Sequence, residues 1–82
     1  MKIILSVDFS NPKFNNDFVL SNVLLQEHTI LMVTNQQQLD DAVKDYDLVL
    51  FGRSSKDLNA RCKVLDARNL SDQAIISKLS TL

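Results

Sequence analysis

Residues 3–7 read IILSV and are followed by Asp8, and this short apolar stretch decides the fold class. Two more runs of the same kind follow, TILMV at residues 29–33 and DLVLF at residues 47–51. Apolar residues in these runs are continuous rather than alternating, which is typical of strands covered on both faces. The runs therefore predict a parallel sheet with helices on each side, in a three-layer α/β/α arrangement.

The segments between and after these runs predict helices. Asn16 or Asp17 can cap a first helix that runs to about Gln26. Thr34 or Asn35 can cap a second helix, and Ser71 begins the last one. Apolar faces are predicted at Phe18, Val19, Val23 and Leu24 in the first, Leu39, Ala42, Val43 and Tyr46 in the second, and Ile75, Ile76, Leu79 and Leu82 in the last.

The remaining stretch completes the element order. Residues 63–67 predict a brief fourth strand, and residues 54–61 predict a short helix or a turn. The order is then β-α-β-α-β-(α)-β-α, and right-handed crossovers leave few topologies for it. We expect one domain over residues 1–82, a small Rossmann-like or flavodoxin-like unit whose four parallel strands lie in the order 2-1-3-4.

Composition narrows the function classes. The chain has 82 residues, with 9 Lys plus Arg against 10 Asp plus Glu, and the charges are interspersed. Such a balance disfavours nucleic-acid binding by a basic patch and binding to a membrane surface. The single cysteine, Cys62, is expected to be a buried or half-buried apolar residue. No run resembles a signal peptide or a membrane span, so we expect a cytoplasmic protein.

The only glycine excludes several phosphate-binding motifs. Neither G-x-G-x-x-G nor G-x-x-x-x-G-K-[ST] can be written with Gly52 alone. No Cys/His cluster has zinc spacing, and Asp8 has no adjacent carboxylate for a receiver-type metal site. We therefore expect no cofactor and no bound metal.

A candidate ligand site follows from the predicted topology. Ligands of open parallel sheets bind outside the carboxyl ends of the strands, where the strand order reverses. Here that point lies between the first and third strands. The candidate residues are Asp8, Ser10 and Asn11 after the first strand, and Gly52, Arg53, Ser54 and Ser55 after the third.

This polar set has two interpretations. Arg53, the serine hydroxyls and a helix N-terminus could hold a small anion. Alternatively, the residues only cap helices and brace turns, with Arg53 paired to Asp8 or Asp66. Gly52 either supplies a positive φ for a turn or allows close approach of a ligand. His28, at the opposite edge of the sheet, is expected to cap the end of the first helix.

Residues 1–55 resemble a known family. Residues 1–5 (MKIIL), 27–34 (EHTILMVT) and 45–50 (DYDLVL) are similar to the amino-terminal Rossmann half of two-domain glycosyltransferases. In that family a Gly-His pair opens the second strand, whereas Glu27 precedes His28 here. The resemblance implies the Rossmann-like fold. In that family the nucleotide sugar is bound by the carboxyl-terminal half, which this stretch does not include.

A shorter resemblance covers residues 7–11, VDFSN. It is similar to the strand-Asp-x-x-Asn start of NYN/PIN-like nucleases, which hold Mg²⁺ with further acidic residues at the strand ends. The resemblance implies that Asp57 and Asp66 would have to join Asp8.

Three functions follow from these observations. The first is a non-catalytic protein-interaction or accessory module, because the chain is small and lacks recognisable catalytic motifs. Its sheet edges and apolar second strand could be covered by a protein partner or by a second copy, as in a homodimer. The second is a domain that binds a small molecule, a nucleotide or a sugar nucleotide. The third is a Mg²⁺-dependent nuclease.

Overall fold

The computed structural model describes all 82 residues, and its elements follow the predicted order. The four strands form one parallel sheet in the order β2-β1-β3-β4, which confirms the predicted fold class. The strands are β1 (Lys2–Ser6), β2 (Thr29–Val33), β3 (Leu48–Phe51) and β4 (Val64–Asp66), and the helices are α1 (Phe14–Leu24), α2 (Gln36–Ala42) and α3 (Asp72–Leu79).

The sheet separates two apolar cores. On one face, Leu20 and Leu24 of α1 and Ile75 and Leu79 of α3 pack over the sheet. On the other face, Leu39 of α2 packs against a smaller cluster, which consists of Ile4, Val33, Val49 and Phe51. Side chains from alternate positions of β1 and β3 enter both cores, which explains why these runs are continuously apolar.

Helix α1 differs most from its prediction. It begins at Phe14, before the predicted caps Asn16 and Asp17, and Lys13 at its N-cap makes no side-chain capping bond. Its buried residues are Asp17, Leu20, Ser21 and Leu24. Of the predicted apolar face only Leu24 is buried, and Phe18, Val19 and Val23 are 47%, 47% and 42% exposed. The prediction was wrong because it assigned Asp17 to the helix cap, whereas Asp17 lies within α1 and is fully buried.

The other helices follow their predictions more closely. Asn35 caps α2 and Ser71 caps α3, each through a side-chain oxygen that accepts a backbone N–H. A 3₁₀ turn at Val43–Asp45 replaces the predicted last turn of α2. In α3, Ile75 and Leu79 are buried, whereas Ile76 (41%) and Leu82 (49%) are exposed, contrary to the predicted face.

Residues 54–61 form no helix. The Gln36 side chain holds this segment, because its Oε1 accepts the N–H of Asn59 at 2.8 Å and its Nε2 donates to the carbonyl of Asn59 at 2.7 Å. Half-buried Cys62 packs against the core on the α2 face, which confirms its predicted burial. No helix in the chain combines the length and the apolar character needed to cross a membrane.

Candidate functional site

The fold brings the segments after β1 and β3 together at the carboxyl edge of the sheet. The Gly52 N–H donates to the carbonyl of Ser6 at 3.0 Å, and the hydroxyls of Ser6 and Ser55 lie 2.7 Å apart. The Asp8 N–H donates to Ser54 Oγ at 3.0 Å. The two segments therefore lie next to each other, as expected, and direct hydrogen bonds within the chain join them.

Asp17 lies at the centre of this region, and sequence reasoning missed it as a site residue. Its Oδ1 accepts the Arg53 N–H at 2.8 Å and Arg53 Nε at 3.1 Å. Its Oδ2 accepts the Ser54 N–H at 2.8 Å and the Ser54 hydroxyl at 2.6 Å. A fully buried carboxylate needs such bonds, and four of them here tie α1 to the end of β3.

Arg53 is occupied on every nitrogen of its guanidinium group. In addition to the bond from Nε to Asp17, one terminal nitrogen donates to the carbonyl of Leu70 at 3.2 Å. The other donates to the carbonyl of Asn16 at 2.8 Å and lies 2.7 Å from Asp72 Oδ1. The predicted pairing of Arg53 with Asp8 or Asp66 was wrong. Arg53 instead fastens the start of α3 to α1, and its side chain is only 11% exposed.

Gly52 is required by Asp17. Its φ is not positive, so the turn explanation was wrong. A Cβ built at Gly52 would lie 2.6 Å from both Cγ and Oδ2 of Asp17. Gly52 therefore allows another group to approach the backbone closely, which was the second of its two interpretations. The approaching group is the Asp17 carboxylate and not a ligand.

The remaining predicted site residues divide into two groups. Ser10 donates its hydroxyl and its N–H to Asp8 Oδ1 at 2.7 and 3.0 Å, and these bonds, with a smaller effect of Lys56, lower the pKa of Asp8. The Asn11 side chain is used in the turn before α1, where its Oδ1 accepts the Lys13 N–H at 2.9 Å. Asp8 contacts the 52–55 segment directly, whereas Ser10 and Asn11 are joined to it through Asp8, whose carbonyl accepts the Asn11 N–H at 3.1 Å.

A second charged cluster lies beyond β4. Arg68 donates to both oxygens of Asp66 through its side chain and to Oδ1 through its N–H, and these bonds lower the pKa of Asp66. Arg68 also pairs with Asp57, and the two carboxylates raise the pKa of its guanidinium group. No three acidic, histidine or cysteine side chains in the chain converge as metal ligands would. Asp8, Asp57 and Asp66 are therefore not gathered as a nuclease site requires.

His28 caps α1 in a different way from the prediction. Its backbone N–H donates to the carbonyl of Leu24 at 2.9 Å, while its imidazole Nδ1 is buried without a hydrogen-bond partner. The side chain lines a shallow groove between the ends of α1 and α3, with Val23 and Ile76 on its walls. The predicted contact between the side chain and the helix end is absent.

Helix α1 exposes several apolar side chains to the solvent. We define the α1 outer surface as Val19 and Val23, which lie one helical turn apart and are 47% and 42% exposed. Phe9 (61% exposed) packs edge to face on Phe14, and Phe14 in turn contacts Phe18. A surface helix normally turns polar residues outward. Helix α1 departs from this rule in part, because it buries Asp17 and Ser21 beside Leu20 and Leu24 and exposes apolar side chains as well as asparagines.

The two edges of the sheet differ in character. Strand β4 has three residues and ends in the Asp66–Arg68 pair, so its edge is short and charged. Strand β2 has five residues, TILMV, with no charge, no proline and no bulge. Charges and short length are the usual protection of an edge strand against pairing, and β2 has neither.

Comparisons with protein families, curated proteins and solved structures found no match to this chain.

Proposed function

We propose that this chain is a non-catalytic protein-interaction module that binds through the α1 outer surface. The observation that carries the proposal is the exposure of Val19 and Val23, two apolar side chains that lie one turn apart on the solvent side of α1. Apolar side chains that are contiguous on a helix surface are typical of protein-binding sites. A near-neutral chain with interspersed charges also suits a protein partner better than a nucleic acid.

The position of the polar residues supports the same proposal. The carboxylate of Asp17 and the guanidinium group of Arg53 bind each other and nearby backbone groups. An anionic ligand would have to displace these bonds to reach Arg53. Binding of a nucleotide or sugar nucleotide at this edge is the alternative function. We also propose a cytoplasmic location and a relation to the amino-terminal half of two-domain glycosyltransferases.

A paired surface substitution tests the proposal. Val19→Ser with Val23→Ser removes two apolar side chains that contribute little to the core, and valine and serine have similar helix propensities. We expect the free energy of unfolding measured in urea to change by no more than about 0.5 kcal/mol for each substitution, the range of ordinary surface substitutions. A partner protein retained by the immobilised wild-type chain should no longer be retained.

Val64→Ser is the matched control, because Val64 is 40% exposed and lies on the opposite side of the sheet. The control variant should retain the same partner as the wild-type chain. Equal retention by all three chains would contradict the assignment of the binding surface to α1.

A further inference from the structure

The outer edge of β2 carries unpaired backbone groups. The Thr29 N–H donates to the Met1 carbonyl and the Val33 carbonyl accepts the Val7 N–H, both at 3.0 Å. In a parallel ladder every second residue turns its backbone groups to the same neighbour. The backbone N–H and C=O groups of Thr29, Leu31 and Val33 therefore face β1. The N–H and C=O groups of Ile30 and Met32 point away from the sheet, where no strand lies.

These groups match a second copy of the same strand. If two β2 strands pair antiparallel about a two-fold axis at Leu31, Ile30 of each copy lies opposite Met32 of the other. That is a hydrogen-bonded pair of an antiparallel ladder, in which both residues exchange N–H···O bonds. Four bonds form, and all outward N–H and C=O groups of Ile30 and Met32 in both copies are used.

The side chains allow the same pairing. Leu31 of one copy lies opposite Leu31 of the other in a non-hydrogen-bonded pair, in which the two Cα atoms are about 4.5 Å apart. Leu31 is 37% exposed on the α2 face, and Ile30 and Met32 are partly buried on the α1 face. Because residues 29–33 carry no charge, a two-fold axis brings no like charges together within the strand. The net charge of −1 adds little repulsion between copies.

Helix α1 would extend this contact. Val23 lines the groove with Ile76 of α3, so that flank of α1 faces α3. Phe14 and Phe18 lie roughly 140–180° away from Val23 around the helix, and therefore on the flank toward β2. A standard interface takes about 800 Å² from each partner. The β2 edge by itself is narrow, so an interface of this size would also need the aromatic flank of α1, where Phe18 is 47% exposed.

We propose that the chain forms a two-fold homodimer by antiparallel pairing of β2 with β2, which joins two four-stranded sheets into one of eight strands. The inference rests on the proposed function, association rather than catalysis, and names a second copy as one partner. The flank of α1 that carries Val19 and Val23 lies on the other side of the helix and stays free for a different protein.

The test uses the position of Leu31 on the two-fold axis. Leu31→Lys and Leu31→Glu each place like charges opposite each other, so each variant alone should dimerise at least about 100-fold more weakly than the wild-type chain. An equimolar mixture of the two variants should form a heterodimer, because the charges are then opposite. Sedimentation equilibrium measures all three samples, and far-UV circular dichroism verifies that each variant is folded.

Val64→Lys is the matched control, since Val64 has a similar exposure on the other edge strand. It should leave the dimer unchanged. In the wild-type chain, hydrogen exchange of the Ile30 and Met32 amides should slow as protein concentration rises, a measurement that needs no variant.

The outcomes separate the two proposals. A wild-type chain that stays monomeric up to about 1 mM, or a dimer that Leu31→Lys leaves intact, overturns β2 pairing. Failure of the mixture of the two variants to reconstitute a dimer does the same. A monomer whose partner is lost with Val19→Ser and Val23→Ser would overturn only the dimer. A dimer that depends on Leu31, with no partner lost in that paired variant, would support β2 pairing and contradict the α1 outer surface.

Discussion

Gly52→Ala tests the central contact of the carboxyl edge. The new Cβ would lie 2.6 Å from Cγ and Oδ2 of Asp17, whereas ordinary van der Waals contact begins at 3.4 Å. Asp17 must therefore move by nearly 1 Å, although four hydrogen bonds of 2.6–3.1 Å hold it. Because Gly52 has no positive φ, the alanine itself brings no backbone strain.

The expected loss follows from these contacts. Displacement of the carboxylate weakens at least two bonds to a charged acceptor, each of which contributes about 1.5–3 kcal/mol. Alanine offsets about 0.4–1 kcal/mol by restricting the unfolded chain. Because the bonds are lengthened rather than abolished, the loss is less than their full sum, and the net expectation is a decrease of about 2–4 kcal/mol in the free energy of unfolding. A chain of this length has only about 4–12 kcal/mol in total.

Urea unfolding followed by far-UV circular dichroism measures this loss. With a urea m-value of about 1 kcal/mol/M, the midpoint should fall by roughly 2–4 M. Asp17→Ala removes the obstacle, so Gly52→Ala should then lower the free energy of unfolding by less than about 1 kcal/mol in that background. Sucrose can be added equally to all four chains if a variant is too unstable. A neutral or stabilising Gly52→Ala in the wild-type chain would refute the reasoning.

Two further predictions concern titratable groups. Folding lowers the pKa of Asp8 and Asp66, so their contribution to stability is complete above about pH 4 and is lost as pH falls through the lowered values. The urea midpoint of the wild-type chain should therefore decrease as the pH falls below 4. The decrease should be smaller in Ser10→Ala, because that variant has lost the hydroxyl that lowers the pKa of Asp8. An equal decrease in the wild-type chain and the variant would exclude Ser10 as the cause. Burial raises the pKa of the Cys62 thiol, so iodoacetamide should alkylate it more slowly at pH 8 than it alkylates an unfolded control in urea. Equal rates would contradict this prediction.

Much of the fold could be predicted because its signals are local. The runs at residues 3–7, 29–33 and 47–51 are continuously apolar, and this composition by itself predicts strands covered on both faces. The preference for right-handed crossovers then favours the observed strand order. Asn35 and Ser71 cap helices through bonds to residues three positions further on, so the sequence contains both partners. These interactions span few residues and depend little on the rest of the molecule.

The candidate site could be predicted only in part. The strand ends were expected to meet, and they do, because Asp8 contacts Ser54 as predicted; the bond of Ser55 to Ser6 was not predicted. The partner of Arg53 was predicted incorrectly, because Asp17 lies 36 positions away and was assigned to a helix cap. The single glycine at residue 52 was a signal that another group packs closely against the backbone there. The sequence does not show which residue supplies that group.

The sequence by itself determined the class of the fold, the order of its strands and the absence of phosphate loops, because these depend on apolar runs and on the number of glycines. Only the tertiary structure decided the orientation of α1. The buried bonds of Asp17 to Arg53 and Ser54 turn that helix so that Phe18, Val19 and Val23 face the solvent. A carboxylate that would be costly to bury alone becomes favourable to bury beside these donors, and the sequence pattern does not contain that long-range compensation.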